Sequence, residues 1–394
     1  MKPGTPYFRG ARLREAREAR GLNGVALAEL LGVTRQTISQ YEHDRISPGP
    51  AVMETITRVL RMPPEFFAFD ARWIKSRSRF MRSLATTAAG ARLRADRRFE
   101  WLVALGRYIE TYIKLPPVNF PKLEVPGVLD DISDEFIENA ARSVRRHWKL
   151  GDGPISNISW LLENNGVVVG QSRLWAEKLD ALSDWDDEYS GRPYFVLGLD
   201  KRSAVRSRFD AAHELGHLVL HRNVDRSQIF KNQALFNAVE SQAHRFAGAF
   251  MLPADSFGDD FYIPTLDALV ALKPKWKASI AMMTTRAGQL GLLSEEQVRF
   301  FYINIGRRKW RNQEPLDDSL EPEQPRLLKR AVELLVDRNI QSREDILRAV
   351  PVAAADIEEL ANLEPGWLTR SAQPELVSVK EQSDSNVVQF KKSQ

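Results

Sequence analysis

The chain has 394 residues, 43% hydrophobic and 27% charged, a length that predicts two or three domains and a composition that excludes disorder throughout. It contains no cysteine, which excludes disulfides, thiol nucleophiles and cysteine-ligated zinc, so any metal must be held by histidine and carboxylate. A net charge of +4 is too mild to identify a nucleic-acid partner by itself, and the lack of an apolar leader core or a bilayer-length apolar run predicts a cytoplasmic protein with no membrane partner.

Residues 1–70 read as short helices. Leu13, Ala16 and Ala19, then Leu27, Leu30 and Leu31, then Ile38 and Tyr41, then Val52, Ile56, Val59 and Leu60 recur at helical spacing, punctuated by Gly21, Gly32 and Pro48. Within them, "LAELLGVTRQTISQYEHDRISPGP" (27–50) has the grammar of a helix-turn-helix. Ala28 is small where two helices cross, Gly32 supplies a left-handed turn, Thr34 caps the second helix and Ile38 anchors it. That phasing turns Arg35, Gln36, Thr37 and Gln40 outward near the helix start, where side chains of these types meet base edges; double-stranded operator DNA is the partner they predict. The stretch resembles the XRE/Cro-like DNA-binding domains. It departs from them at Gly24, where a polar Gln is common, so backbone affinity is sought elsewhere, in the run 72–98 with its nine Lys/Arg and the single acid Asp96.

"MPPEFF" (62–67) closes this block, 71–127 reads as a basic helical linker region, and "KLPPVNFPKLEVPG" (114–127) as its extended end. The pattern is helical again from 133 to 164. "GVVVG" (166–170) and "PYFVLGL" (193–199) are the two strands of a small sheet, the second placed to align an extended peptide by strand addition.

"RFDAAHELGHLVLH" (208–221) follows, with three of the chain's six histidines. His213 and His217 are four apart and project from one helix face, a spacing that binds one zinc ion. Glu214 beside them has the chemistry of a general base toward water. A catalytic site needs a third ligand, and "AVESQAHRFAGAFMLP" (238–253) offers Glu240 or, one turn on, His244. His221 extends the same face as a pocket-lining or supporting group, while His43 and His147 read as structural.

Four stretches in order, "AARSVRRHWKLGDGPISNISWLLENNGVVV", "FDAAHELGHLVLH", "VESQAHRFAGAFMLPADSF" and "KPKWKASIAMMTTRAGQLGLLSEEQ", make the chain resemble the ImmA/IrrE family of zinc metallopeptidases fused to an XRE-type helix-turn-helix. The resemblance implies zinc on His213, His217 and Glu240, with Glu214 as general base. Where members usually carry Asn or Asp this chain has His244, which keeps that residue open as the third ligand. It also implies a protein substrate, a transcriptional repressor or another regulator of stress-response or mobile-element genes. A non-proteolytic regulator, or a toxin-antitoxin or defence component whose zinc domain binds a partner, is the alternative. A homodimer is left open.

Helices continue to about 310. "NQEPLDDSLEPEQP" (312–325) is an acidic, proline-punctuated connection, and "RLLKRAVELLVDRN" with "SREDILRAVP", where Ser342 and Asp345 have capping-box spacing, forms a helical C-terminal unit before a polar tail. The expected fold is mostly α with a small β-sheet, class α+β: a Cro/XRE-like helical bundle (1–70), the basic linker region (71–127), a zincin-like metallopeptidase domain (128–310) and a helical C-terminal region (311–394).

Overall fold

The computed structural model describes residues 4–69, 80–81, 89–175, 181–200, 203–224, 229 and 232–370. The N-terminal block is a bundle of α1 (Gly10–Ala19), α2 (Gly24–Leu31), α3 (Arg35–Glu42) and α4 (Pro50–Leu60), closed by a 3-10 turn at Pro64–Phe67. Local chemistry sets these bounds. Asn23 accepts from the Ala26 amide to start α2, Gly32 ends it at φ 65°, and the Thr34 hydroxyl accepts from the Thr37 amide to start α3. Leu27, Ala28, Ile38 and Tyr41 are buried on the inner faces. Leu30, in contrast, is 53% exposed, because on an eight-residue helix it falls about 100° from the centre of the stripe made by Leu27, Ala28 and Leu31.

A mixed four-stranded sheet forms the centre: β1 (Phe80–Met81), β2 (Val168–Ser172), β3 (Ala181–Asp186) and β4 (Arg192–Gly198), in the order β1-β3-β4-β2. β4 pairs parallel with β2 and antiparallel with β3. The expected edge strand "PYFVLGL" is therefore central, a correction with a plain cause. The neighbour "ALSDWD" (181–186), which is not among the expected strands, is a fully buried strand, and its outer edge pairs with the backbone of Phe80 and Met81.

Alternate residues of the sheet feed two cores. Val168, Leu182, Tyr194 and Val196 point to one, shared with the N-terminal bundle, with α5 (Ala89–Glu110) and with the C-terminal helices; Val167, Val169, Ala181, Phe195 and Leu197 point to the other. The second core holds α6 (Asp134–His147), α7 (Ile158–Asn164), α8 (Ala204–Leu220), α9 (Gln233–Met251), α10 (Ala254–Asp260), α11 (Leu266–Trp276), α12 (Ile280–Gln289) and α13 (Glu295–Arg307). The C-terminal helices are α14 (Leu327–Asp337), α15 (Arg343–Ala349), whose capping box at Ser342 and Asp345 is formed, and α16 (Ala354–Leu360).

Two stretches expected to be linkers are structural. Arg97 pairs with Glu18 and Glu100, Arg98 with Asp356, and Arg94 donates to the Arg20 carbonyl, so the end of the basic run faces inward rather than to DNA. The rest of that run, apart from Phe80 and Met81, lies mostly outside the described residues. The acidic connection is a strap held by its carboxylates. Glu314 caps α12 through the Ile280 and Ala281 amides, Asp317 pairs with buried Lys273, and Glu323 caps α7 and pairs with Arg208. No helix among the described residues is long and apolar enough to cross a membrane.

Candidate metal centre and DNA-reading helix

α8 and α9 run antiparallel and close together because Gly216 has no side chain: a Cβ there would stand 3.2 Å from the backbone of Ala243. This approach brings Glu240 to the histidine pair. His213 Nε2 and His217 Nε2 are 3.0 Å apart, and each is 3.4 Å from a Glu240 carboxylate oxygen. Donors held about 2.0–2.1 Å from one tetrahedral ion stand about 3.3 Å from each other, so the spacing of these three fits one face of a tetrahedral zinc site. Glu214 also lies with both imidazoles within a 4.8 Å cluster. Its Oε2 accepts the Ser183 hydroxyl of β3 at 2.6 Å, whereas the Glu240 carboxylate faces both imidazole Nε2 atoms at 3.4 Å.

Burial shapes the charges. His213 is fully buried, and its desolvation drives its pKa well below the ordinary value, against the pull of the Glu240 carboxylate; the neutral, metal-binding form is favoured. Burial would raise the Glu240 carboxyl, yet its imidazole neighbours His213 and His217 hold it well below the usual carboxylate range. The Glu240 carboxylate gives this buried cluster the negative charge that a divalent cation would neutralise.

A hydrogen-bond relay orders the protons on His217. The Gln242 amide nitrogen donates to the Leu129 carbonyl at 2.9 Å, so its oxygen faces His221 Nε2, also at 2.9 Å, and must accept from it. A neutral His221 then presents a lone pair at Nδ1, 3.0 Å from His217 Nδ1, which donates. His217 Nε2 is left with its lone pair toward Glu240 and His213, the form a metal ligand needs.

His244 is turned from the cluster at one nitrogen. Its Nδ1 bonds the Glu240 carbonyl at 2.8 Å, and its ring stacks on Phe209 with its centroid 4.4 Å from that of His213. His43 bonds the Ser39 carbonyl and His147 bonds Asn119, both remote from the metal cluster. The residues that sequence reasoning missed are Ser183, on the strand it did not predict, and Gln242, whose amide carries no signal until its partners are known.

In the N-terminal bundle, Arg35 and Gln36 are exposed at the start of α3, while Thr37 and Gln40 are half-buried. The Thr37 hydroxyl is 2.9 Å from that of Thr34, so it is engaged in the cap.

Residues 10–67 match the family described as a helix-turn-helix domain, and residues 162–287 match a peptidase family described as the IrrE N-terminal-like domain. No curated protein matches the chain. The first matched region contains α3, and the second contains α8 and α9 with His213, Glu214, His217 and Glu240. The chain is thus a fusion of an XRE-like helix-turn-helix domain with an IrrE-like domain of a peptidase family.

Proposed function

We propose that this DNA-binding regulator is a zinc-dependent endopeptidase that acts on a transcriptional repressor or another regulatory protein. The observation that carries the reading is a carboxylate, Glu214, next to three donors spaced for one tetrahedral ion. Zinc bound by His213, His217 and Glu240 would polarise a water molecule and the scissile carbonyl. Glu214 is suited to take the proton of that water and return it to the departing amine. Ser183 orients the Glu214 carboxylate through the 2.6 Å hydrogen bond, and His221 with Gln242 keeps His217 in its ligand tautomer. A site that served only to hold the fold would have no use for a buried carboxylate beside its ligands. Arg35 and Gln36 would bring this activity to an operator.

Zinc-loaded Glu214→Gln protein used as bait tests the reading. It should retain an intact regulatory protein of which the wild type leaves only fragments. Recovery of the same intact partner with both forms would contradict cleavage and favour a metal-dependent binding module.

A further inference from the structure

One helical turn from the metal cluster, α8 and α9 diverge over a cavity of about 520 Å³ walled by Phe209 and His244, floored by α12 and rimmed by Tyr302 and Arg311. Its lining carries three guanidinium groups, of Arg206, Arg286 and Arg311, against one carboxylate, Asp210. Arg286 is engaged from outside the cavity by a bidentate pair with Glu138 at 2.6 and 2.9 Å. Arg206 instead donates to the backbone carbonyls of Arg311 and Asn312, and no carboxylate pairs with Arg206 or Arg311 among the described residues. Two cations at the mouth of a partly apolar cavity are therefore available to an incoming anion.

A second observation narrows the class of anion. The buried Oε1 of Gln289 has no hydrogen-bond partner and lies 3.3 Å from where a Cβ on Gly248 would stand. An unmet acceptor calls for an N–H donor such as a peptide backbone, which a simple carboxylate cannot supply; the oxygen is shielded from solvent over Gly248, so Gln289 must turn its amide toward the cavity to accept from one. The volume exceeds that of one side chain and admits a residue with its flanking backbone. The His244 wall stands with its ring centroid 4.4 Å from that of His213. A helical turn spans about 5.4 Å and an extended peptide about 3.3 Å per residue, so this cavity is one or two residues along a bound chain from the metal position.

The geometry points to a specificity pocket for an aspartate or glutamate side chain of the substrate, one or two residues from the bond to be cut, read by Arg206 and Arg311 with Gln289 accepting from the adjoining backbone. The inference rests on the peptidase reading for its meaning but not for its test. Zinc-loaded Glu214→Gln protein is titrated, by fluorescence anisotropy, with a positional-scanning set of dye-labelled hexapeptides carrying Asp, Glu, Ala or Lys at each position. At one position the acidic peptides should bind about tenfold more tightly than the alanine peptide, the yield of one charge-assisted contact. Arg311→Glu, at an exposed site where folding is not at risk, should reverse the preference toward Lys, and Arg206→Lys should retain part of it. Equal binding of all four peptides, an unchanged preference in Arg311→Glu, or competition by free glutarate as effective as the best peptide would each overturn the pocket. If the acidic preference holds while wild-type protein cuts none of the peptides, the pocket stands as a peptide site and the peptidase reading falls.

Discussion

His217 can ligate a cation only through an unprotonated Nε2, and two side chains that would not touch the cation decide that form. Gln242 fixes His221, and His221 fixes His217. Replacing Gln242 by Leu should weaken zinc binding by about 10–100-fold, as loss of an orienting partner does elsewhere, while leaving the fold intact; competition with a chelator of known affinity measures it. Substitutions at the proposed ligands should be more severe. His213→Ala or His217→Ala should abolish the expected one zinc per chain, and Glu240→Ala should lower occupancy more than His244→Ala, because Glu240 is 3.4 Å from both imidazoles whereas His244 spends Nδ1 on a backbone carbonyl. Metal analysis of the purified variants gives the order, and the reverse order would move the third ligand to His244. The H-E-x-x-H spacing made the histidine pair legible in the sequence, since four residues is one turn. Spacing alone does not choose between Glu240 and His244, because both lie on the same face of α9; the resemblance favours Glu240, and the packing of α9 on α8 supports that choice.

At the scale of elements, the carboxylates of the acidic strap and of α7 act as caps for helices distant in sequence. Glu163 in α7 accepts from the amides of Arg326 and Leu327 at 2.9–3.1 Å, at the start of the C-terminal helical unit. Its burial pushes its pKa up to about 7, against the lowering effect of those amides. A carboxyl that is harder to ionise when folded contributes most below its unfolded value of 4.5, and the contribution is lost as pH rises to 7. The wild type should therefore lose stability relative to Glu163→Gln between about pH 4.5 and 7, by on the order of 3 kcal/mol, and the difference should be flat above that range. Urea midpoints of the two proteins across this interval give the comparison, and a constant difference would contradict the assignment. Helix positions were legible because their apolar periods and caps are local, as at Thr34 and Ser342. β3 was not: its Asp186 and Ser183 are satisfied by Arg107 and Glu214, from other elements, so a strand that is fully buried reads as polar.

Across the whole molecule, the DNA-reading bundle is built onto the body. Its apolar core is continuous with α5 and the C-terminal helices, and the Asp356 carboxylate of α16 accepts from Arg20 of the bundle and Arg98 of α5 at once. A linker between independent domains was the natural reading of a basic, proline-flanked stretch, because pairing over hundreds of residues leaves no local pattern. Operator binding should nonetheless depend on α3. Gln36→Ala should relax sequence preference with little change in salt dependence, and Arg35→Ala should weaken binding; gel shifts against a randomised operator library at two salt concentrations resolve the two effects. Retention of full specificity in the double variant would move recognition to another surface.

In the proposed function Glu214 does chemistry beside a metal it does not hold. Wild type and Glu214→Gln should be compared in one experiment that follows zinc content, operator binding and the abundance of the associated regulatory proteins in cells. The substitution keeps the shape and removes the proton acceptor, so zinc and DNA binding should be equal in the two while the regulator disappears only with the wild type. Equal loss of the regulator in both, at equal zinc, would contradict catalysis by Glu214.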